Sequence, residues 1–298
     1  MKYLRLVRAH QWIKNSFLFF PLFFAGDLLN IPQLLSVAYG FLAFSLVASS
    51  IYILNDYNDI EADRQHPTKS KRPLAAGEIS KTTGLVIMVI TLAAGFFLAY
   101  SIDIRFLYVT LIYYVLNLGY SLGLKHISIL DILIVASGFL LRTVAGGVIA
   151  QVRISEWLML MVFLLAVFLA LAKRRDDILL AQESGKVMRK ASAKYNMEFV
   201  NGGLTMLMSV ILVCYIMYTI SDEVTDRLKT HYLYATAIFV IAGLMRYMQI
   251  TVVENKSGSP TRILYTDRFL QITLLGWIVS FFSIIYRHNL MSLFGLSL

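Results

Sequence analysis

Six stretches of this chain carry no charged side chain over lengths close to that of a membrane span: residues 28–55, 82–102, 106–124, 157–172, 199–221 and 269–286. A helix needs roughly 17 to 25 apolar residues to cross a bilayer. Three shorter or interrupted runs, 15–26, 132–152 around Arg142 and 230–252 around Arg246, bring the expectation to about nine transmembrane helices. The runs are continuously apolar instead of alternating over ~10 residues, which argues against a transmembrane β-barrel. With 58% hydrophobic and 15% charged residues over 298 positions and a mean hydropathy of +0.69, a soluble domain is excluded. The expected fold is all-α, a polytopic membrane bundle around a cytoplasm-facing cavity. No repeat, low-complexity tract or flexible linker divides the chain, so residues 1–298 read as one domain.

The net charge of +9 would suggest nucleic acid for a soluble protein, but in a membrane chain the position of each charge tells more than the sum. With the N-terminus inside, Lys and Arg number 4 before residue 15, 5 in 55–83, 1 in 121–128, 7 in 173–201 and 3 in 249–268. That places 20 of the 27 inside, against 5 outside (Arg105, Arg153, Arg227, Lys229, Arg287) and 2 within spans, as the positive-inside rule expects. The reading is a multi-pass protein of a bacterial cytoplasmic membrane, N-terminus cytoplasmic, in contact with membrane lipids and with no nucleic-acid partner. Residues 1–26 superficially resemble a signal peptide, but no A-x-A-like site follows and polar His10, Gln11, Lys14 and Asn15 intervene, so the segment reads as part of the mature chain. The one cysteine, Cys214, lies in a span and forms no intramolecular disulfide. A homo-oligomer is compatible with all of this.

Where the run 28–55 ends, the chain continues as Asn55-Asp56-Tyr57-Asn58-Asp59-Ile60-Glu61-Ala62-Asp63. At ~100° per residue, Asp59 lies about 300° and Asp63 about 340° from Asp56, so the three share an arc of roughly 60°, while Glu61 at about 140° points away. Three like charges on one face repel, and a hard divalent cation such as Mg2+ relieves that repulsion through oxygen ligands. An acidic helix end is often merely solvated. Here His66-Pro67-Thr68-Lys69-Ser70-Lys71-Arg72-Pro73 follows, and cations beside a carboxylate cluster suit a polyphosphate ligand, Arg gripping oxygens bidentately and Lys acting as a point charge. The second charged inner loop, 173–201, is expected on the same side, so that the two loops share a cytoplasmic mouth.

The run from Asn55 to Gly77 resembles the first Asp-rich motif, N-D-x-x-D-x-x-x-D, and the following basic stretch of UbiA-type intramembrane prenyltransferases. Tyr120-Ser121, Lys125 and Asp131 fit the same family, as does nearly the whole chain. Within it, Arg8-Ala9-His10-Gln11-Trp12-Ile13-Lys14-Asn15 and Lys173-Arg174-Arg175 look like the decaprenyl-phosphate phosphoribosyltransferase branch. Aromatic prenyltransferases of this type usually carry a second Asp-rich motif after the sixth helix. Here that place reads Lys173-Arg174-Arg175-Asp176-Asp177, whose adjacent carboxylates lie about 100° apart on a helix and do not reproduce an i, i+4 pair.

The resemblance implies a Mg2+-dependent transferase of cell envelope biosynthesis that moves 5-phosphoribose from phosphoribosyl diphosphate to a polyprenyl phosphate and releases diphosphate. Asp56, Asp59 and Asp63 are the expected catalytic metal ligands, with Asn55 supporting. Lys69, Arg72, Lys125, Lys173, Arg174 and Arg175 are expected substrate contacts; Lys14 and Asn15 join them, against the alternative of an interface anchor beside Trp12, and Tyr195 is divided evenly between a phosphate or sugar contact and an ordinary interface tyrosine. Arg142, mid-span, is divided evenly between substrate contact and a structural role, since intramembrane ionisable residues are costly and commonly functional. Arg246 is close enough to the inner face to snorkel. Two rival readings stand: a prenyltransferase moving an allylic group to an aromatic acceptor, and a transporter, which gives no reason for a carboxylate triplet followed by cations. No Ser/His/Asp or Cys/His nucleophile arrangement is present.

Overall fold

A computed structural model describes residues 1–65, 69–184, 191–256 and 260–287, and among them every regular element is helical. Among the described residues, seven helical stretches are long and apolar enough to cross a membrane: Ile31–Asn58, Lys81–Ile102, Leu130–Ala150, Glu156–Gln182, Met197–Ile220, Leu233–Val253 and Arg268–Ile285. The protein is a multi-pass membrane protein.

That count differs from the nine expected for two physical reasons. The helix Ile104–Leu122 has a span's length at 19 residues, but Arg105, Asn117 and its tyrosines dilute its apolar character. Residues 15–26 fall in a 3-10 run, Ala9–Phe19, and a six-residue helix, Phe20–Ala25, neither of which reaches a span's length as an α-helix. Arg142 does not interrupt its helix, which continues through it to Ala150.

The chain packs as two compact units, residues 1–123 with 138–153, and residues 124–137 with 154–298. The first holds α1 (Lys2–Leu6), the 3-10 run, α2 (Phe20–Ala25), α3 (Ile31–Asn58), α4 (Ile60–Arg64), α5 (Lys81–Ile102), α6 (Ile104–Leu122) and the later part of α7 (Leu130–Ala150). Local chemistry starts these helices where they start. Asn30 caps α3 by accepting from the Gln33 N–H, with Pro32 in the first turn; Ser80 caps α5 by accepting from Thr83, and Asp103 caps α6 by accepting from Arg105. Each side chain satisfies an N–H that the first turn leaves without a partner. α3 runs along α5 and also meets α6 and the 3-10 run. The α3–α5 approach is backbone-close at Gly95, where an added Cβ would stand 3.0 Å from the Ala43 oxygen and the Val47 nitrogen, as small residues permit between membrane helices. Leu18, Phe44, Val47, Ile51, Phe106, Tyr113 and Ile149 form the core of this unit, while Val89, Ile90, Phe97 and Tyr100 of α5 are exposed, the placement that lipid favours.

The second unit holds the start of α7, α8 (Glu156–Ser184), α9 (Met197–Ile220), α10 (Asp222–Leu228), α11 (Ala237–Met248), α12 (Pro260–Thr266) and α13 (Arg268–Ile285). α8 packs on α9, and α11 on α9 and α13. Asn196 and Asp267 cap α9 and α13. Trp277 of α13 donates to the Tyr215 hydroxyl of α9 at 2.7 Å, and that hydroxyl meets Thr236 at 2.5 Å, so the buried phenol is satisfied on both sides.

Candidate functional site

The Asp-rich segment sits where α3 gives way to α4. Asp59 is the joint, with φ −97° and ψ 8° outside the helical range, yet it keeps the chain's direction because its N–H bonds the Asn55 carbonyl at 3.0 Å and its own carbonyl receives Asp63 N–H at 2.7 Å. Asp56 and Asp63 are therefore on one side, each 2% exposed, and Glu61 is on the other, paired with Arg64 at 3.1 Å in the open. Asp59 and Asn55 are half-buried beside them.

A single guanidinium joins the two buried carboxylates: Arg72 lies 2.5 Å from Asp63 and 3.0 Å from Asp56. A second, Arg8, pairs with Asp56 and lies over the Tyr52 ring at 5.3 Å. Two buried carboxylates with no cation would be prohibitive, and the two arginines supply the compensation. Among the described residues no three His, Cys, Asp or Glu side chains stand together as a ligand set; two of the three expected carboxylates converge, and they do so around Arg72. Oxygen donors of this kind fit a hard divalent ion, and Asp56, Asp59, Asp63 and the Asn55 amide oxygen are the residues that would hold it.

Arg8 is the site residue that sequence reasoning did not assign. It belongs to the quoted N-terminal motif, but nothing in the spacing shows that it returns to Asp56. Of the other expected contacts in this unit, Lys14 is half-buried on the 3-10 run and Lys69 is exposed in the turn Lys69–Lys71. Asn15 and Arg142 are together and buried, 1% and 4% exposed: Arg142 Nε donates to Asn15 Oδ1 at 2.7 Å. His66, Pro67 and Thr68 lie outside the described residues.

The second unit holds its own ionic cluster. Arg174 is 4% exposed and lies 2.5 Å from Asp177 and 3.3 Å from Asp131, whose side chain is fully buried. Ser192 donates to Asp177 at 3.2 Å. Tyr195, a candidate substrate contact, donates its hydroxyl to Asp131 at 3.2 Å and accepts the Ile129 N–H at 2.5 Å. Burial is the first cause that lifts its phenol above the ordinary range; Asp131 adds to it and the Ile129 hydrogen bond opposes it, so the hydroxyl keeps the proton it donates. Ile129, β-branched, has φ +72°, a strained conformation that this clamp holds.

Arg175 differs from its neighbour. It is equally buried, but its hydrogen-bond acceptors are Asn201 Oδ1 at 3.0 Å, Asn255 Oδ1 at 2.8 Å and the Val252 carbonyl at 3.3 Å, all neutral. Lys173 is exposed and Lys125 half-buried. Arg246, expected to snorkel, reaches Asp267 and Glu254 at 2.7 and 2.9 Å. Lys186, Arg189 and Lys190 of the second loop lie outside the described residues.

Comparison with known proteins places this architecture. The model of the UbiA prenyltransferase family matches residues 16–181. The chain is 34% identical over 295 residues to a decaprenyl-phosphate phosphoribosyltransferase of Mycolicibacterium smegmatis, covering 95% of this chain and 92% of that protein. It is 31% identical to the enzyme of that name from Mycobacterium tuberculosis, covering 93% and 91%. A solved UbiA homolog from Archaeoglobus fulgidus, bound to GPP and Mg2+, superposes with a TM-score of 0.69 at 21% identity, covering 96% of this chain and 99% of that one, which establishes the shared fold. The chain belongs to the UbiA prenyltransferase family, in its decaprenyl-phosphate phosphoribosyltransferase-like branch.

Proposed function

We propose that this membrane transferase moves 5-phosphoribose from phosphoribosyl diphosphate to a polyprenyl phosphate and releases diphosphate, in a bacterial cytoplasmic membrane with the N-terminus and the Asp-rich segment facing the cytoplasm. The observation that carries the reading is the convergence of Asp56 and Asp63, both buried, on Arg72 and Arg8. Carboxylates and guanidiniums interleaved at one helix end suit a ligand that is itself a cation bound to a polyanion. The names of the relatives support the choice of substrates.

Mg2+, held by Asp56, Asp59 and Asp63 with Asn55, would supply charge stabilisation to the leaving diphosphate. The chain's own residues do the rest. Arg72 and Arg8 neutralise diphosphate oxygens as negative charge grows on them, and fixed donors of this kind act without reorganising at the moment of reaction. Lys14 and Lys69 add positive charge in the same unit. The acceptor phosphate is anionic near neutral pH, so its attack on the anomeric carbon requires no strong general base. In the second unit Arg175 and Lys173 are the phosphate-binding candidates, since Arg174 and Asp177 compensate each other; that pairing also leaves Asp177 unsuited to a second metal pair of the aromatic prenyltransferase kind.

Substrate replacement tests the reading. Purified protein in Mg2+ is expected to convert labelled phosphoribosyl diphosphate and a prenyl phosphate into a lipid-extractable product, and to give none from a prenyl diphosphate with an aromatic acid. Prenylated aromatic in place of phosphoribosyl lipid would overturn the branch reading.

A further inference from the structure

The 3-10 run Ala9–Phe19 is unusually long for its type, since such runs seldom exceed three or four residues. Its contacts explain why it persists. Trp12 Nε1 donates to Ser49 Oγ at 3.0 Å, Asn15 Nδ2 donates to Ser45 Oγ at 2.8 Å, and Leu18, fully buried, presses its carbonyl against α7 where a Cβ at Gly146 would stand 1.9 Å away. The spacing is three residues at every step. Three residues of a 3-10 helix complete one turn and rise about 6 Å, and four residues of an α-helix also rise about 6 Å, so Trp12 to Asn15 on one chain matches Ser49 to Ser45 on the other, antiparallel. An α-helical run would turn only about 300° and rise about 4.5 Å over those three residues and lose the match. Exposure follows the same period: His10 and Ile13 are open, Asn15 and Leu18 buried.

The ladder ends at Arg8. Ser49 Oγ lies 2.8 Å from both the Val7 and the Ser45 carbonyls, its one proton serving either. Arg8 follows in the left-handed region, φ 50° and ψ 48°, and its side chain reaches Asp56. At the middle of the ladder stands Arg142. Its Nε holds Asn15, its Nη1 the Gly138 carbonyl at 2.8 Å and its Nη2 the Tyr113 hydroxyl at 2.8 Å, and the guanidinium lies 4.7 to 5.4 Å from the rings of Tyr113, Phe44 and Phe139. Among the described residues no carboxylate pairs with it. A buried intramembrane arginine is retained at a high cost, and its partners here are an amide oxygen, a backbone carbonyl, a phenol and three aromatic rings.

We infer that Arg142 is a positioning residue: through Asn15 it sets the register of the Ala9–Phe19 run on α3 and so holds Arg8 at Asp56. The inference rests on the proposed donor site for its effect on binding, but the register has its own readout. In a Trp157→Phe, Trp277→Phe background, Trp12 is the only indole, and Arg142→Met and Asn15→Ala are each expected to raise its acrylamide quenching about twofold as the Ser49 contact loosens. The Kd for phosphoribosyl diphosphate in Mg2+ is expected to rise about tenfold in Arg8→Ala, Arg142→Met and Asn15→Ala, the effect of one charge-assisted hydrogen bond. The Arg8→Ala, Arg142→Met double variant should be no weaker than the weaker single. Asn15→Ala removes less packing, so it tests the link if Arg142→Met does not fold. Unchanged quenching, or effects that multiply in the double variant, would overturn the inference. A wild-type protein that does not bind the donor, with quenching as expected, would overturn the donor reading and leave the register standing.

Discussion

Arg174 and Arg175 are adjacent and equally buried, yet the structure assigns them different fates on mutation. Replacing Arg174 by Met removes the ion-pair partner that Asp131, whose side chain is fully buried, has among the described residues, and breaks the 2.5 Å contact to Asp177. Among the described residues Asp131 then keeps the Tyr195 hydroxyl at 3.2 Å. Breaking a buried pair from one side costs about 3 to 5 kcal/mol because the remaining charge is uncompensated, which corresponds to a fall in Tm on the order of 10 °C. Near-ultraviolet circular dichroism of the detergent-purified protein reads this directly. Adding Asp131→Asn to Arg174→Met removes the stranded charge and should recover at least half of the loss, since deleting both partners is far less costly than deleting one. A loss under about 1 kcal/mol for Arg174→Met, or a double variant no more stable than the single, would refute the reasoning.

Asp59→Asn and Asp63→Asn are each expected to lower turnover at least about 100-fold, a loss of several kcal/mol of transition-state stabilisation, while Glu61→Gln, exposed and on the opposite side, should change little; product assays on folded protein decide it. Arg175→Ala should raise the apparent KM for the phosphorylated substrates severalfold, read from initial rates. In a Cys214→Ser background, a membrane-impermeant thiol reagent on intact cells should modify a cysteine placed at Asp226 and leave one at Lys71 untouched; labelling at Lys71 inverts the topology. Arg246 holds the Asp267 carboxyl below the ordinary carboxylate range by hydrogen bonding; a depressed folded pKa gives stability that is present above about pH 4 and is lost as pH falls through the folded value, so Asp267→Asn should be less sensitive than the wild type to acid in that window, measured by unfolding against pH.

The membrane helices were legible because a span announces itself: the charge-free runs that opened the reading became α3, α5, α8, α9 and α13 to within a few residues at most ends. The run 15–26 was not, because a 3-10 segment is set by partners on another helix, Ser45 and Ser49, and leaves no period-3.6 pattern of its own. The arc holding Asp56, Asp59 and Asp63 followed from helical periodicity and survives at Asp56 and Asp63 despite the joint at Asp59. Their counter-ions were only half legible. Arg72 is nine residues away in a basic stretch, whereas Arg8 returns from 48 residues upstream, a distance only tertiary structure closes. Arg142 stood out by sequence as a mid-span charge, but that its partners are an amide, a carbonyl, a phenol and aromatic rings depends on which helices surround it. The contacts of Tyr195 and Arg174 with Asp131 were hidden for the same reason, since Asp131 lies 64 residues before Tyr195 and no local pattern pairs them.

The central claim is that the Asp56–Asp63 end of α3 releases diphosphate as phosphoribose passes to a lipid phosphate, and a double-label experiment tests it most directly. With donor carrying one label in the ribose and another in the diphosphate, the purified protein and a polyprenyl phosphate in Mg2+ should yield one free diphosphate for each labelled lipid, and neither product in EDTA or with Asp63→Asn. Diphosphate label in the lipid, ribose label left in the aqueous phase while lipid product forms, or full activity in EDTA would contradict the account.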